Sequence, residues 1–158
     1  SLISLNLCDV YLPNREFVSL PSLKVIVLHA VDFERGLAFE MIISSCPVLE
    51  SLTVNMIRGL ESFQVCSQSL LSFTYVADDD DYLEFVIDAP RLQYLKLNDN
   101  RTASFIVKNH GSLLEADIDI WIERKFDPND LPKRHMIRNF LVGISCVKDM
   151  IISSSTLE

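Results

Sequence analysis

An α/β solenoid built on a parallel sheet is the fold class that this sequence predicts, and three observations predict it. A short aliphatic phrase returns seven times, most intervals between its copies lie in the low twenties, and the segments between copies carry either helical or alternating apolar spacing. Units this short cannot close a core alone and must stack on one another.

The phrase is Leu-x-x-Leu-x-Leu, with aliphatic or aromatic replacements. Its copies are LISLNL from Leu2, LKVIVL from Leu23, LESLTV from Leu49, LLSFTY from Leu70, LQYLKL from Leu92, LLEADI from Leu113 and VKDMII from Val147, at intervals of 21, 26, 21, 22, 21 and 34 residues. This is the mark of a leucine-rich repeat, in which each unit is one strand and a return segment. Neighbouring strands pair in parallel and their inward leucines stack into one column. The expectation is one leucine-rich domain over residues 1–158, with about seven repeats and truncated at both ends. The opening Ser1-Leu2-Ile3 has neither a Met start nor the regions of a signal peptide.

Interval length says how the chain returns. The two long intervals have room for helices, expected at about 34–45 and 130–143. In the first, Leu37, Met41 and Ile42, with Phe33 in step, recur at helical spacing. In the second, Leu131, Met136, Ile137, Phe140 and Leu141 do so, with Asn129 or Asp130 as a cap and Pro132 in the first turn. The shorter intervals carry a second alternating run instead, which predicts short strands on the convex side at about 61–65, 83–87 and 103–107. Phe63, Phe85 and Phe105 keep that run in step with the first. Pro21, Pro47 and Pro90 each stand two residues before a phrase-opening Leu, where a residue without an N–H suits the corner into a strand.

Side chains alternate along a strand, so the residues between the leucines face the concave surface. Copy by copy this gives Ser4, Asn6 and Cys8; Val25, Val27 and His29; Ser51, Thr53 and Asn55; Ser72, Thr74 and Val76; Tyr94, Lys96 and Asn98; Glu115, Asp117 and Asp119; and Asp149, Ile151 and Ser153. The candidate partner-binding face is Tyr94, Lys96, Asn98, Glu115, Asp117 and Asp119. It suits a partner with basic or hydrogen-bond-donating groups, with Tyr94 as the aromatic anchor. The same polarity also keeps an exposed sheet soluble.

Composition narrows the function. With 22 Asp and Glu against 14 Lys and Arg, the net charge of −8 repels phosphate backbones and anionic membranes, so neither nucleic acid nor membrane is an expected partner. No run of about 18 apolar residues is present. Lys133, Arg134 and Arg138 form a small basic group that reads as a solvated helix face, preceded by Asp127 and Asp130. Cys8, Cys46, Cys66 and Cys146 are scattered without zinc spacing and read as buried free thiols. The run Asp78 to Asp81 lacks calcium-loop spacing and reads as a solvated connection. His29, His110 and His135 fall in different repeats without a nucleophile elbow or a phosphate-cradling glycine loop, so neither catalysis, nor a cofactor, nor a metal is expected.

Five stretches carry a family resemblance: LPSLKVIVLHAVDF from Leu20, SCPVLESLTV from Ser45, APRLQYLKLND from Ala89, SLLEADIDI from Ser112 and FLVGISCVKDMIISSSTLE from Phe140. In that order they resemble the repeat region of the plant F-box/leucine-rich-repeat (F-box/FBD/LRR) proteins. The resemblance spans the whole chain and does not include the F-box or the FBD segment. It implies the substrate-binding repeats of a Skp–cullin–F-box ubiquitin ligase receptor, acting inside the cell in cytoplasm or nucleus. The partner would be a protein substrate of unknown identity, and adaptor binding would need the missing F-box.

Two other readings stand beside it. One is a secreted or receptor ectodomain binding a peptide or protein, to which the acceptor sequence Asn100-Arg101-Thr102 is relevant. The other is a degenerate fragment with no retained partner. In all three, the uncovered ends at Leu2 to Leu7 and Val147 to Ile152 make the isolated piece prone to association.

Overall fold

The computed structural model describes residues 1–14, 19–77, 84–99, 104–108, 111–120, 129 and 131–153. Asp78 to Asp81, Asn100 to Thr102, His110, Asp127 and Asp130 lie outside the described residues, as do the side chains of Phe105 and Met136.

In chain order the elements begin with β1 (Ser4–Cys8), β2 (Tyr11–Leu12), β3 (Val25–His29), β4 (Asp32–Phe33), α1 (Gly36–Ser44) and β5 (Ser51–Asn55). There follow β6 (Ser62–Cys66), β7 (Ser72–Val76), β8 (Glu84–Asp88), β9 (Tyr94–Asp99), β10 (Ser104–Lys108), β11 (Glu115–Ile120), α2 (Leu131–Gly143) and β12 (Asp149–Ile152). The phrase strands form one seven-stranded sheet in the order β1-β3-β5-β7-β9-β11-β12, parallel throughout. This is a leucine-rich-repeat solenoid.

The register follows the phrases residue for residue. Ile26, Leu52, Phe73, Leu95, Ala116 and Met150 fall on one row, and Leu28, Val54, Tyr75, Leu97, Ile118 and Ile152 on the next. From Ile26 to Ile118 these side chains are buried, whereas Met150 and Ile152 on the last strand are 43% and 38% exposed.

Corners are built by local chemistry. Pro21, Pro47 and Pro90 occupy the second position of tight turns closed by Leu23 N–H to Leu20 O, Leu49 N–H to Cys46 O and Leu92 N–H to Ala89 O, at 3.1 to 3.2 Å. Proline's fixed φ is preset for that position. Ser69 Oγ donates to Leu49 O and Ser112 Oγ to Leu92 O, each at 2.8 Å, so a hydroxyl from the next repeat satisfies the carbonyl of the phrase-opening leucine. At the far end of the strands, Asp9, Ala30 and Met56 take positive φ and turn the chain off the sheet. Their N–H groups donate to His29, Asn55 and Val76 of the following strand.

The convex wall changes from repeat to repeat. β6, β8 and β10 form a three-stranded parallel sheet in which Phe63, Phe85 and Phe105 share one row, one residue later than the sequence placed the strands. Phe63 stacks on Phe85 at 5.1 Å and meets Phe39 of α1 at 4.7 Å, while Tyr75 reaches Phe85 at 4.9 Å from the main sheet. Rings of this size fill the space between two sheets. The two-stranded pair β2 and β4 was not expected. Gly59 fits against it with φ +79°, where an added Cβ would lie 1.9 Å from Phe33 O.

Both helices exist close to their expected bounds, but their packed faces differ from the expectation. In α1 the buried residues are Ala38, Phe39, Ile42 and Ile43, and Leu37 is 54% exposed. In α2 Phe140 is buried, whereas Leu131 and Leu141 are 59% and 54% exposed. Each helix closes an edge of the convex sheet, α1 against β6 and α2 against β10. Contact is made through glycine: a Cβ on Gly36 would stand 3.0 Å from Ser62 O, and one on Gly143 2.3 Å from Val107 O.

The cysteines are free, but only Cys46 is buried. Cys8 and Cys66 end strands on the outward side of the alternation, which corrects their expected burial. Burial pushes the Cys46 thiol above its ordinary pKa.

Phe63 lies at the centre of the ring cluster, so Phe63→Ala should lower unfolding stability by about 3–5 kcal/mol. Leu37→Ala should change it by less than about 0.5 kcal/mol. Urea denaturation of the two variants checks both, and a comparable loss for Leu37→Ala would refute the observed face of α1.

Candidate concave-side recognition surface

Parallel register turns the outward positions into three rows across the main sheet. One runs Ser4, Val25, Ser51, Ser72, Tyr94, Glu115 and Asp149. The second runs Asn6, Val27, Thr53, Thr74, Lys96, Asp117 and Ile151, and the third runs Cys8, His29, Asn55, Val76, Asn98 and Asp119. All of these side chains are half-buried or exposed. Neighbouring strands lie about 4.8 Å apart and alternate residues about 6.7 Å, so row neighbours touch while rows remain distinct.

The surface divides by chemistry. Over β5 and β7 it is a set of short hydroxyls, Ser51, Thr53, Ser72 and Thr74. From β9 onward it carries an aromatic ring and charge.

Lys96 Nζ lies 2.8 Å from Asp117 Oδ2, its partner in the row. The hydrogen bond to Asp117, reinforced by the nearby negative charge, raises the Lys96 pKa above its ordinary value. In the third row Asp119 Oδ1 accepts from Ser153 Oγ. The three carboxylates expected to act as one acidic row are therefore not equivalent. Asp117 is neutralised by Lys96 and Asp119 is engaged by a hydroxyl, whereas Glu115 is exposed.

Asp149, which is not among the six residues expected to form the face, stands directly beside Glu115 and is also exposed. Two carboxylates side by side with Tyr94 next in line make the most negative part of the face. Like charges opposed on a sheet repel, so a cation between them is favoured. The signal was in the sequence, since Asp149 holds the same phrase position as Glu115 and Tyr94.

Elsewhere, His29 lies between Cys8 and Asn55, and His135 is on α2. Among the described residues no group of three His, Cys, Asp or Glu is placed to hold a metal ion, and no helix is long and apolar enough to cross a membrane. The Cys8 thiol donates to Asp9, which raises its pKa.

Comparison with known proteins gives a consistent set. A family model described as the LRR repeats of FBD-associated F-box protein At5g56370 matches residues 1–110. FBD-associated F-box protein At4g13985 of Arabidopsis thaliana is 74% identical over all of this chain and 36% of its own length. F-box/LRR-repeat protein 13 and putative F-box/FBD/LRR-repeat protein At1g66290, from the same plant, are 54% and 53% identical over all of the chain and 37% of theirs. The chain thus spans a little over a third of the length of these relatives. No solved structure matches it.

The Lys96 to Asp117 pair predicts a pH response. A base whose folded pKa is raised contributes stability in full below its unfolded value, here near 10.5, and loses it as pH rises through the higher folded value. The Lys96 side-chain resonance should therefore titrate above that of ordinary lysines and return to the ordinary value in Asp117→Asn. A Lys96 that titrates identically in both proteins would disprove the coupling.

Proposed function

This chain belongs to the plant family of FBD-associated F-box proteins with leucine-rich repeats, of which it is the repeat region, and from that premise we propose that it is a protein-recognition surface that selects substrates for a Skp–cullin–F-box ubiquitin ligase. One observation carries the reading. The inward residues of β3 to β11 are buried, while the outward residues of the same strands are half-buried or exposed, with Tyr94 and the exposed Glu115 side by side and placed to meet a partner.

The contact lies at the β9 to β12 end. Tyr94 offers a ring, Glu115 and Asp149 offer adjacent carboxylates, and the Lys96 to Asp117 pair with Asn98 and Asp119 fixes a polar border. A partner Arg or Lys would sit between the two carboxylates, with an Arg also able to stack on the Tyr94 face. No catalytic step is assigned to these residues. The adaptor would be held by an F-box, the element for which the relatives are named, and not by this surface. In this reading the protein works inside the cell, in cytoplasm or nucleus.

The test uses the full protein that carries this chain, expressed in plant cells with the proteasome inhibited. Proteins that copurify and become ubiquitinated are quantified for the wild type, Tyr94→Ala, the double variant Glu115→Lys with Asp149→Lys, and Glu61→Lys on the opposite side. A true substrate should lose affinity about 30-fold with Tyr94→Ala, the equivalent of a hot-spot loss near 2 kcal/mol. It should be lost with the charge reversal and retained with Glu61→Lys. Substrates retained by both concave-side variants would reject this face.

A further inference from the structure

Among the described residues, one ion pair lies within the outward rows of the main sheet, that of Lys96 with Asp117. Register sets it into a tile of four side chains, with Tyr94 and Lys96 on β9 and Glu115 and Asp117 on β11. The tile measures about 4.8 Å across the strands and about 6.7 Å along them. Tyr94 and Glu115 form one edge, and the ion pair forms the other.

The two edges differ in what they can receive. The ion pair closes at 2.8 Å with Lys96 still 39% and Asp117 still 25% exposed, so a visitor can reach both. An ammonium has three N–H donors and a carboxylate two oxygens, and this bond joins one N–H to Oδ2. What faces outward is therefore a set of donors on Lys96 beside an acceptor on Asp117, with no net charge. A cation placed there is repelled by Lys96 and an anion by Asp117. A carboxamide meets neither repulsion, because its oxygen accepts from Lys96 while its NH2 donates to Asp117.

The other edge favours a cation. Glu115 is exposed, with Asp149 on its far side, and Tyr94 presents a ring face on which a guanidinium can stack. The separation of the two edges along the strands equals that of residues i and i+2 in any extended chain. A partner segment lying along the strands thus offers alternate side chains to the two edges in turn.

We propose that the partner is recognised through an extended segment in which an arginine and an asparagine or glutamine stand two positions apart, the arginine on Tyr94 and Glu115 and the amide on Lys96 and Asp117. The inference rests on the concave-side contact put forward above and adds the chemistry of what binds there. It makes Lys96 a specificity-determining residue. A molecule of net charge −8 attracts polybasic chains of every kind. A cation held beside the acidic edge turns away segments whose second position is also basic, which is discrimination by a repulsive contact.

Selection of random nine-residue peptides displayed on phage, with the full protein that carries this chain as bait, tests this. Wild type should enrich Arg with Asn or Gln two residues away. Lys96→Met leaves the Asp117 carboxylate alone and should shift that second position to Lys or Arg, whereas Asp117→Asn should shift it to Asp or Glu. Each shift should change the preference about fivefold, the scale of one exposed ion pair. Lys96→Arg keeps the charge and should keep the wild-type preference. A pair that served stability alone would leave the selected sequences the same in every variant. Enriched peptides whose binding survives both Tyr94→Ala and Glu115→Lys would reject the face and this proposal with it. Peptides that need those two residues yet show no amide preference, or keep it in Lys96→Met, would overturn this proposal and leave the face standing. An absence of enrichment would overturn it as well, and the face would then be judged by copurification of substrates.

Discussion

The governing constraint is that a repeat of about 21 residues exposes one row of apolar side chains and has nothing of its own to cover it. Leu52 is fully buried because Ile26 and Phe73 flank it in register, and the same holds for Val54 between Leu28 and Tyr75. Every other feature serves that stacking. Proline turns lead into β3, β5 and β9, the Ser69 and Ser112 hydroxyls tie their repeats to the carbonyl of the preceding one, and the positive φ of Asp9, Ala30 and Met56 releases the chain after β1, β3 and β5. Local chemistry here sets the interval, and the interval sets the register.

The convex wall shows how a parallel sheet avoids open edges. Three short strands would present two unpaired margins, and α1 and α2 cover one each. Glycine at each contact lets helix backbone approach strand backbone more closely than any other residue allows. The outward rows of the main sheet are half-buried or exposed, so its accessible polar chemistry collects on that wall.

Much of this was legible in the sequence because the phrase is both a composition signal and a ruler. Aligning LQYLKL with LLEADI places Lys96 opposite Asp117, and aligning LLEADI with VKDMII places Glu115 opposite Asp149. Which helix face packs was harder to read. GLAFEMIIS is almost wholly apolar, so Leu37, Met41 and Ile42 mimic one stripe while Ala38, Phe39, Ile42 and Ile43 form the buried one. Periodicity cannot separate two stripes when nearly every position is apolar. In α2 Leu131 and Leu141 stand at the expected helical spacing, yet they are exposed while Phe140 is buried, because spacing alone does not say which apolar residues meet β10. The Lys96 pairing changes the chemistry of the candidate face without changing its location.

The mixed returns also determine shape. Adjacent strands advance by about 4.8 Å on either wall, so where β5, β7 and β9 are backed by β6, β8 and β10, the inner and outer walls require the same spacing. A helix needs about 8–10 Å between axes, so a return through α1 or α2 takes more room on the outer wall than a return through a strand. The hydroxyl-bearing middle of the main sheet, β5 and β7, is thus the part backed by strands, and the helix-backed returns on either side favour a wider outer spacing.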